Sequence, residues 1–246
     1  MERNLKLTIA YDGTAYHGFQ RQANALSVQQ VLEERLERLF NHPLRIAGAG
    51  RTDAGVHAYG QVITFSTTGS IPTERIPIAA KGVLPPDIVV VAAEEVDAEY
   101  HARFTAISKI YLYRLYVGKC ADPFLRNYAW QIATQPDVKA MNEALQEIVG
   151  THDFSSFRAA GGAPVNPVRT IFSASCRQEG SLIEFSFWGS GFLYHMVRNL
   201  VGTLVDVGFG RLTREGFSAI LAGKDRSLAG ITAPPQGLYL KQVFYE

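Results

Sequence analysis

A chain of 246 residues is long enough to bury a substantial core, as one domain or as two joined subdomains. With 47% hydrophobic and 19% charged residues, it has the composition of an ordinary globular protein without a biased tract. The formal net charge of +1 excludes binding of a polyanion through a global positive field, so any such partner must be held by a local patch.

Cysteine usage and the N-terminus bear on where the protein is found. Cys120 and Cys176 lie far apart and have no CxxC or Cys/His spacing, which argues against a structural zinc and favours a reduced protein. The first residues contain no secretion signal, and no apolar run is long enough to span a bilayer. We therefore expect a soluble, cytoplasmic protein with no membrane partner.

The first hundred residues alternate predicted strands with predicted helices. In chain order, the patterns predict a strand over residues 5–11, a turn at 12–13, a helix that starts with a capping box at 27–30 and ends before residue 43, short strands at 45–47 and 62–65, a short helix over 73–82 and a continuous apolar strand over 88–92. Residues 16–22 are irregular, polar and aromatic. They form either a surface loop with a buried Phe19 or, at Arg21, a phosphate contact.

The stretch GAGRTDAGVHAYGQV, residues 48–62, is the most informative in this half. Arg51 and Asp53 are bracketed by three glycines, whose freedom to adopt positive φ indicates a tight, irregular backbone. A loop that presents a carboxylate beside a guanidinium on a rigid strand is a common way to build a site. The alternative is a Gly-rich turn with a surface ion pair, and the loop alone favours this alternative, because irregular turns and exposed pairs are common.

The remaining residues continue the alternation of strands and helices. The patterns predict a long strand from residue 107, a helix over 137–149, a Gly/Pro-rich loop over 157–170, a hairpin of strands 171–176 and 182–188, a largely buried helix over 192–207, a short helix over 213–221 and a closing strand over 238–244. We predict two halves, residues 1–104 and 105–246. Hairpins and isolated helices favour an α+β fold with a mainly antiparallel sheet.

Several polar side chains in this second half are candidates for a site. Lys109 and Tyr111 share one strand face with Tyr113, as a base-and-phosphate binder needs, although this strand alone favours a tyrosine ladder packed against another layer. Arg158 and Arg169 are cationic tips of the Gly/Pro-rich loop. On the buried helix lies Arg198, whose guanidinium is rarely buried unpaired, so we expect an acidic partner distant in sequence.

Four segments together resemble the tRNA pseudouridine synthase A family: GAGRTDAGVHAYGQV, HARFTAISKIYLYRL, GFLYHMVRNLVGTL and APPQGLYLKQVFY. The resemblance extends over nearly the whole chain. It implies a pseudouridine synthase fold, in which two similar α+β halves share an extended, mainly antiparallel sheet with helices packed against it and a central active-site cleft. It also implies a homodimer, without cofactor or metal, that converts uridine to pseudouridine in the anticodon stem-loop of tRNA, at positions 38, 39 and 40.

The same resemblance implies roles for individual residues. Asp53 would be the nucleophile, Tyr111 would stack on the target uracil, and Arg51 and Arg198 would flank the carboxylate. Leu240 would pack near the base. From the charge of their side chains, and not from the resemblance, phosphate contacts are expected from Arg21, Lys109, Arg158 and Arg169.

The chemistry of the reaction agrees with these assignments. Isomerisation breaks the N1–C1′ bond and rejoins uracil through C5, with no atoms gained and no redox change, so no metal or cofactor signature is expected. An ionised Asp can attack covalently, and a nearby Arg favours the charged carboxylate where water is removed. Whether Asp53 attacks the base or the sugar, or instead removes a sugar proton, stays open. We interpret His57 and His195 as structural.

Two other classes of protein fit parts of this pattern. A non-catalytic RNA-binding module would keep the basic and aromatic residues but would not need Asp53 together with Arg51 and Arg198. An aspartate-nucleophile phosphatase or ATPase would require an acidic metal cluster or a phosphate loop, and the sequence contains neither.

Overall fold

The computed structural model describes residues 2–161 and 165–245. The strands and helices, numbered in chain order, are β1 (Arg3–Tyr11), α1 (Val28–Phe40), β2 (Ala47–Gly48), β3 (His57–Thr67), α2 (Ile76–Lys81), β4 (Ile88–Val96), β5 (Ser108–Val117), β6 (Trp130–Ile132), α3 (Val138–Leu145), β7 (Gly150–Asp153), β8 (Val168–Glu179), β9 (Leu182–Gly189), α4 (Met196–Gly208), α5 (Arg214–Gly223) and β10 (Leu238–Phe244). Among the described residues, no helix is long and apolar enough to cross a membrane.

The chain forms two compact units, the described parts of Met1–Ile107 with Tyr239–Glu246, and Ser108–Leu238. The predicted division into 1–104 and 105–246 differs from this grouping chiefly at the C-terminal tail. The tail returns to the first unit because β10 pairs in parallel with β3. Such a pairing joins residues about 180 positions apart, and no local pattern in the sequence predicts it.

In the first unit, a sheet with strand order β4–β1–β3–β10 is built mostly from antiparallel pairs, and β2 also pairs with β3. Alternation along β1 directs Leu5, Leu7 and Ile9 into the core, where all three are fully buried. At the start of α1, the Ser27 hydroxyl accepts from the Gln30 N–H, which is half of the predicted capping box. The Gln30 side chain donates instead to Glu34.

In the second unit, β5, β9, β8 and β7 follow one another in an antiparallel sheet, and β6 pairs in parallel with β5. Tyr113, Phe185 and Phe187 are fully buried on one face of this sheet. Most of the residues of α4 are buried, and α4 contacts α3 and β5. The units thus confirm an α+β fold with mainly antiparallel pairing.

Most predicted elements are present, and the differences have physical causes. The predicted helix 192–207 begins only at Met196, because His195 has a left-handed φ of 57° that a helix cannot contain. β4 lies at a sheet edge, so Val89 and Val91 are about half exposed and the run 88–92 is not buried on both faces. The short strands β6 and β7 were not predicted.

Candidate active site

Residues 49–56, which we call the Asp53 loop, connect β2 to β3. The Ala49 N–H donates to the carbonyl of Val62 and the Gln61 side chain donates to the carbonyl of Gly50, both at 2.8 Å, so the loop runs back along β3. The Val56 N–H donates to the Asp53 carbonyl at 3.1 Å, which closes a tight turn. Gly55 has a φ of 77° in this turn, a conformation that L side chains rarely adopt. Asp53 itself is half-buried.

The segment 11–19 holds this loop from the other side. The Tyr11 hydroxyl and the Thr52 hydroxyl are hydrogen bonded at 2.7 Å, and the Phe19 N–H donates to the Thr52 carbonyl at 3.0 Å. The chain is also held two residues after Asp53, since the Gly55 N–H donates to the Tyr16 carbonyl at 3.2 Å. Burial raises the pKa of Tyr11 to about 12, so its phenol stays neutral. The Asp53 backbone is therefore fixed by hydrogen bonds to its neighbours.

Two glycines allow the segment and the loop to touch backbone to backbone. A Cβ on Gly13 would lie 2.0 Å from the Val56 carbonyl oxygen, and one on Gly18 would lie 2.6 Å from that of Thr52. The Gly13 N–H donates to Nδ1 of the buried His57 at 3.0 Å. These contacts support the interpretation of His57 as a structural residue.

Gly13→Ala is expected to lower the free energy of unfolding by about 1–3 kcal/mol, because the clash is with main chain and cannot be relieved by a rotamer change. Urea unfolding measures this change. The matched control is Gly82→Ala, where the added Cβ would be 3.4 Å from its nearest neighbour and φ is negative. Equal stabilities of the two variants would contradict the close packing of the segment against the Asp53 loop.

The other candidates of the first unit lie at different distances from this loop. Leu240 is fully buried in β10 and pairs with Ala58, directly after the loop. Arg51 is exposed, and its Nε donates to the side chain of Gln20 at 3.3 Å. Arg21 forms ion pairs with two carboxylates of α1, those of Glu33 at 2.9 Å and Glu34 at 3.8 Å.

In the second unit, Tyr111 and Arg198 are held by the end of the sheet and the start of α4. Tyr111 is 8% exposed, and its ring meets that of Phe192 edge-on with centroids 5.0 Å apart. Arg198 lies in the first turn of α4, where its Nε donates to the Ala233 carbonyl at 2.7 Å. The Ala233 N–H returns a bond to the Arg198 carbonyl at 3.1 Å. The acidic partner expected for Arg198 stays a prediction.

Two cationic candidates lie at the same end of this sheet as Tyr111. Gly189 pairs with Lys109 on one side and with Ile171 on the other, so that the start of β5 and the start of β8 lie at the same end of the sheet, on either side of β9. Near the start of β8, Arg169 donates to two main-chain carbonyls, and burial lowers the pKa of its guanidinium from its usual value. Arg158 makes a longer bond, 3.4 Å, to the Val165 carbonyl.

Within the described residues, no group of three or more His, Cys, Asp or Glu side chains is arranged to hold a metal ion.

Comparison with known proteins identifies the family of the chain. The family model described as tRNA pseudouridine synthase matches residues 7–105 and 144–246, and the chain belongs to this family. The protein is therefore an isomerase that acts on tRNA and converts uridine to pseudouridine.

Individual relatives have a more specific name than the family model. A tRNA pseudouridine synthase A from Thermoanaerobacter sp. is 43% identical over 99% of this chain and all of its own. One from Geobacillus kaustophilus is 46% identical over all of this chain and 96% of its own. A chain of a solved Cbf5-Nop10-Gar1 complex is similar at 12% identity, with a TM-score of 0.39, over 96% of this chain and 48% of that chain.

The supporting residues Tyr11, Gly13 and Thr52 were missed by the sequence analysis. The letters Asp12-Gly13 predict a turn, but not that the turn touches a loop forty residues later. The spacing of glycines in residues 13–18 is the only local signal that main chain approaches main chain here.

Proposed function

We propose that the enzyme modifies uridines of the anticodon stem-loop of tRNA, at positions 38, 39 and 40, and that it acts as a homodimer in the cytoplasm. The relatives named tRNA pseudouridine synthase A support the general assignment, and the resemblance of the four motifs supports the position in tRNA. The observation that carries the proposal for the site is the double fixation of Thr52 by Tyr11 and Phe19, which holds the adjacent Asp53 in a defined place.

The reaction requires one bond exchange at C1′ and one proton exchange. The N1–C1′ bond breaks, the uracil turns, and a C5–C1′ bond forms. C5 then loses its hydrogen as a proton and N1 gains one, so the product is an isomer of the substrate. An ionised carboxylate is the group that can begin this exchange by covalent attack or by proton removal, and we assign this role to Asp53.

The remaining assignments divide the other tasks. A base in a stem or loop must leave its stack, which costs a few kcal/mol. Stacking on the aromatic ring of Tyr111 returns about 1–3 kcal/mol of this. Arg198 stabilises the negative charge of the reacting carboxylate, Leu240 packs near the base, and Arg51 contacts the RNA backbone or fills the gap left by the base.

Phosphate contacts of Arg21, Lys109, Arg158 and Arg169 predict a steep dependence of tRNA affinity on salt. Lys109→Ala and Arg169→Ala are each expected to weaken binding and to reduce the slope of log K against log salt by about 1. Equilibrium binding of tRNA across a salt series measures the slope. Arg211→Ala is the control, since Arg211 is exposed and paired with Asp206. A slope unchanged in both variants would show that these residues do not contact the phosphates of tRNA.

Tritium release from tRNA labelled at C5 of uridine tests the reaction, and variants of the tRNA test the position. We expect release from wild-type tRNA and loss of release when the uridines at positions 38, 39 and 40 are replaced by cytidine. Undiminished release from the replaced tRNA would overturn the proposed position. Sedimentation of the protein alone, with a mass of 27.1 kDa expected for a monomer, tests the homodimer.

A further inference from the structure

The turn formed by residues 101–105 exposes an aromatic ring on a fixed support. The Phe104 and Thr105 N–H groups both donate to the His101 carbonyl at 3.1 Å, and the Arg103 N–H donates to Nδ1 of the His101 ring, also at 3.1 Å. The Thr105 hydroxyl donates to the same carbonyl at 2.7 Å. The turn therefore has its own hydrogen bonds.

The turn is also anchored to the rest of the first unit. Ala102 is fully buried, its N–H donates to the Thr64 hydroxyl of β3 at 3.2 Å, and its carbonyl accepts from the Tyr245 hydroxyl at 2.8 Å. An anchored turn loses little conformational freedom when a ligand binds it.

The outer surface of this turn presents the Phe104 ring, which has a cationic and an aromatic neighbour. Phe104 is 75% exposed. The His101 ring lies against it with centroids 4.4 Å apart, and the Arg103 guanidinium carbon is 5.6 Å from its centroid. These neighbours orient the Phe104 ring without covering most of it. A single exposed apolar side chain is common on protein surfaces, but this ring also lies against an imidazole and a guanidinium, which fix its position.

We infer that Phe104 and Arg103 form a tRNA-binding contact, in which an unpaired or terminal base stacks on the Phe104 ring and Arg103 meets the adjoining phosphate. Aromatic rings and Arg planes are the groups on which proteins stack RNA bases, and Arg supplies both a cation–π and a phosphate contact. A protein partner is less suited to this surface, because one ring beside a cation offers little apolar area to bury. The inference rests on the proposed function.

The anchor of this turn lies away from the anchor of Asp53. The turn is anchored at Thr64, whereas Thr52, the neighbour of Asp53, is bonded to Tyr11, which pairs with Ala58. Ala58 and Thr64 are six residues apart along β3, which corresponds to about 20 Å. The contact therefore affects how tightly tRNA is held and not the chemical step.

The test compares Phe104→Ala, Phe104→Leu and Phe104→Trp in tRNA binding and in tritium release. Loss of stacking is expected to raise both Kd and KM by about fivefold to a hundredfold in the Ala and Leu variants, with kcat unchanged. The Trp variant keeps wild-type binding, and its added fluorescence is quenched by tRNA. Phe124→Ala is the control, since Phe124 is 83% exposed in the second unit and has no assigned role.

An unchanged Kd in the Ala and Leu variants would overturn the inference. So would a change in sedimentation of the Ala variant without tRNA, which would make the turn an interface between protein copies. The unfolding midpoint should not move, because the ring is mostly exposed. Binding decides this inference and tritium release by the wild type decides the proposed function, so either can fail alone.

Discussion

Arg198→Ala is expected to lower kcat for pseudouridine formation by on the order of 10²–10³-fold, while the Kd for tRNA stays close to that of the wild type. The reason is that Arg198 is proposed to stabilise a reacting carboxylate and not to hold RNA. Its guanidinium is fixed in place by the bond from Nε to the Ala233 carbonyl, so its charge costs little reorganisation during the reaction. Tritium release at saturating tRNA and equilibrium binding measure the two quantities.

A matched control separates the charge of Arg198 from the packing of the segment that it anchors. Arg226 binds the same part of the chain, donating to the Ala229 carbonyl and to the side chains of Asn199 and Thr232. Arg226→Ala should loosen that segment without removing Arg198, and we expect it to retain most of the turnover. Affinity that falls in parallel with turnover in Arg198→Ala would mean that Arg198 mainly holds RNA.

Elements defined by local patterns could be predicted from the sequence. The alternation of Leu5, Leu7 and Ile9 predicts β1, and the Gln-Glu-Gly turn predicts the hairpin of β8 and β9, because both signals depend on neighbouring residues. The start of α4 could not be predicted, since an apolar pattern continues through His195 although its backbone is left-handed. The pairing of β10 with β3 depends on residues far apart in sequence.

The site residues stay a prediction, and this prediction rests on a different kind of signal. The identity of Asp53, Tyr111 and Arg198 came from resemblance of whole motifs, because a carboxylate in a Gly-rich turn is ambiguous alone. The contacts of each side chain could not be predicted, because they depend on residues that are distant in sequence. Arg21 was predicted to contact phosphate, and its guanidinium lies in ion pairs with α1, which tRNA would have to displace or share.

Asp53→Asn is expected to have the largest effect of any single substitution, a loss of turnover of at least about 10⁴-fold. The amide keeps the volume of the carboxylate but has neither its charge nor its nucleophilic oxygen. Since the Asp53 loop is held through main-chain bonds and through Thr52, the fold and the affinity for tRNA should be kept. Asp87→Asn, which changes a carboxylate bonded to Tyr16 in the same unit, should stay active.

Single-turnover tritium release by Asp53→Asn, with enzyme in excess over C5-labelled tRNA, tests the central claim most directly. We predict that the variant binds the tRNA as tightly as the wild type and releases no label above background. Release of label by Asp53→Asn at the wild-type rate would contradict the assignment of Asp53 as the residue that starts the reaction.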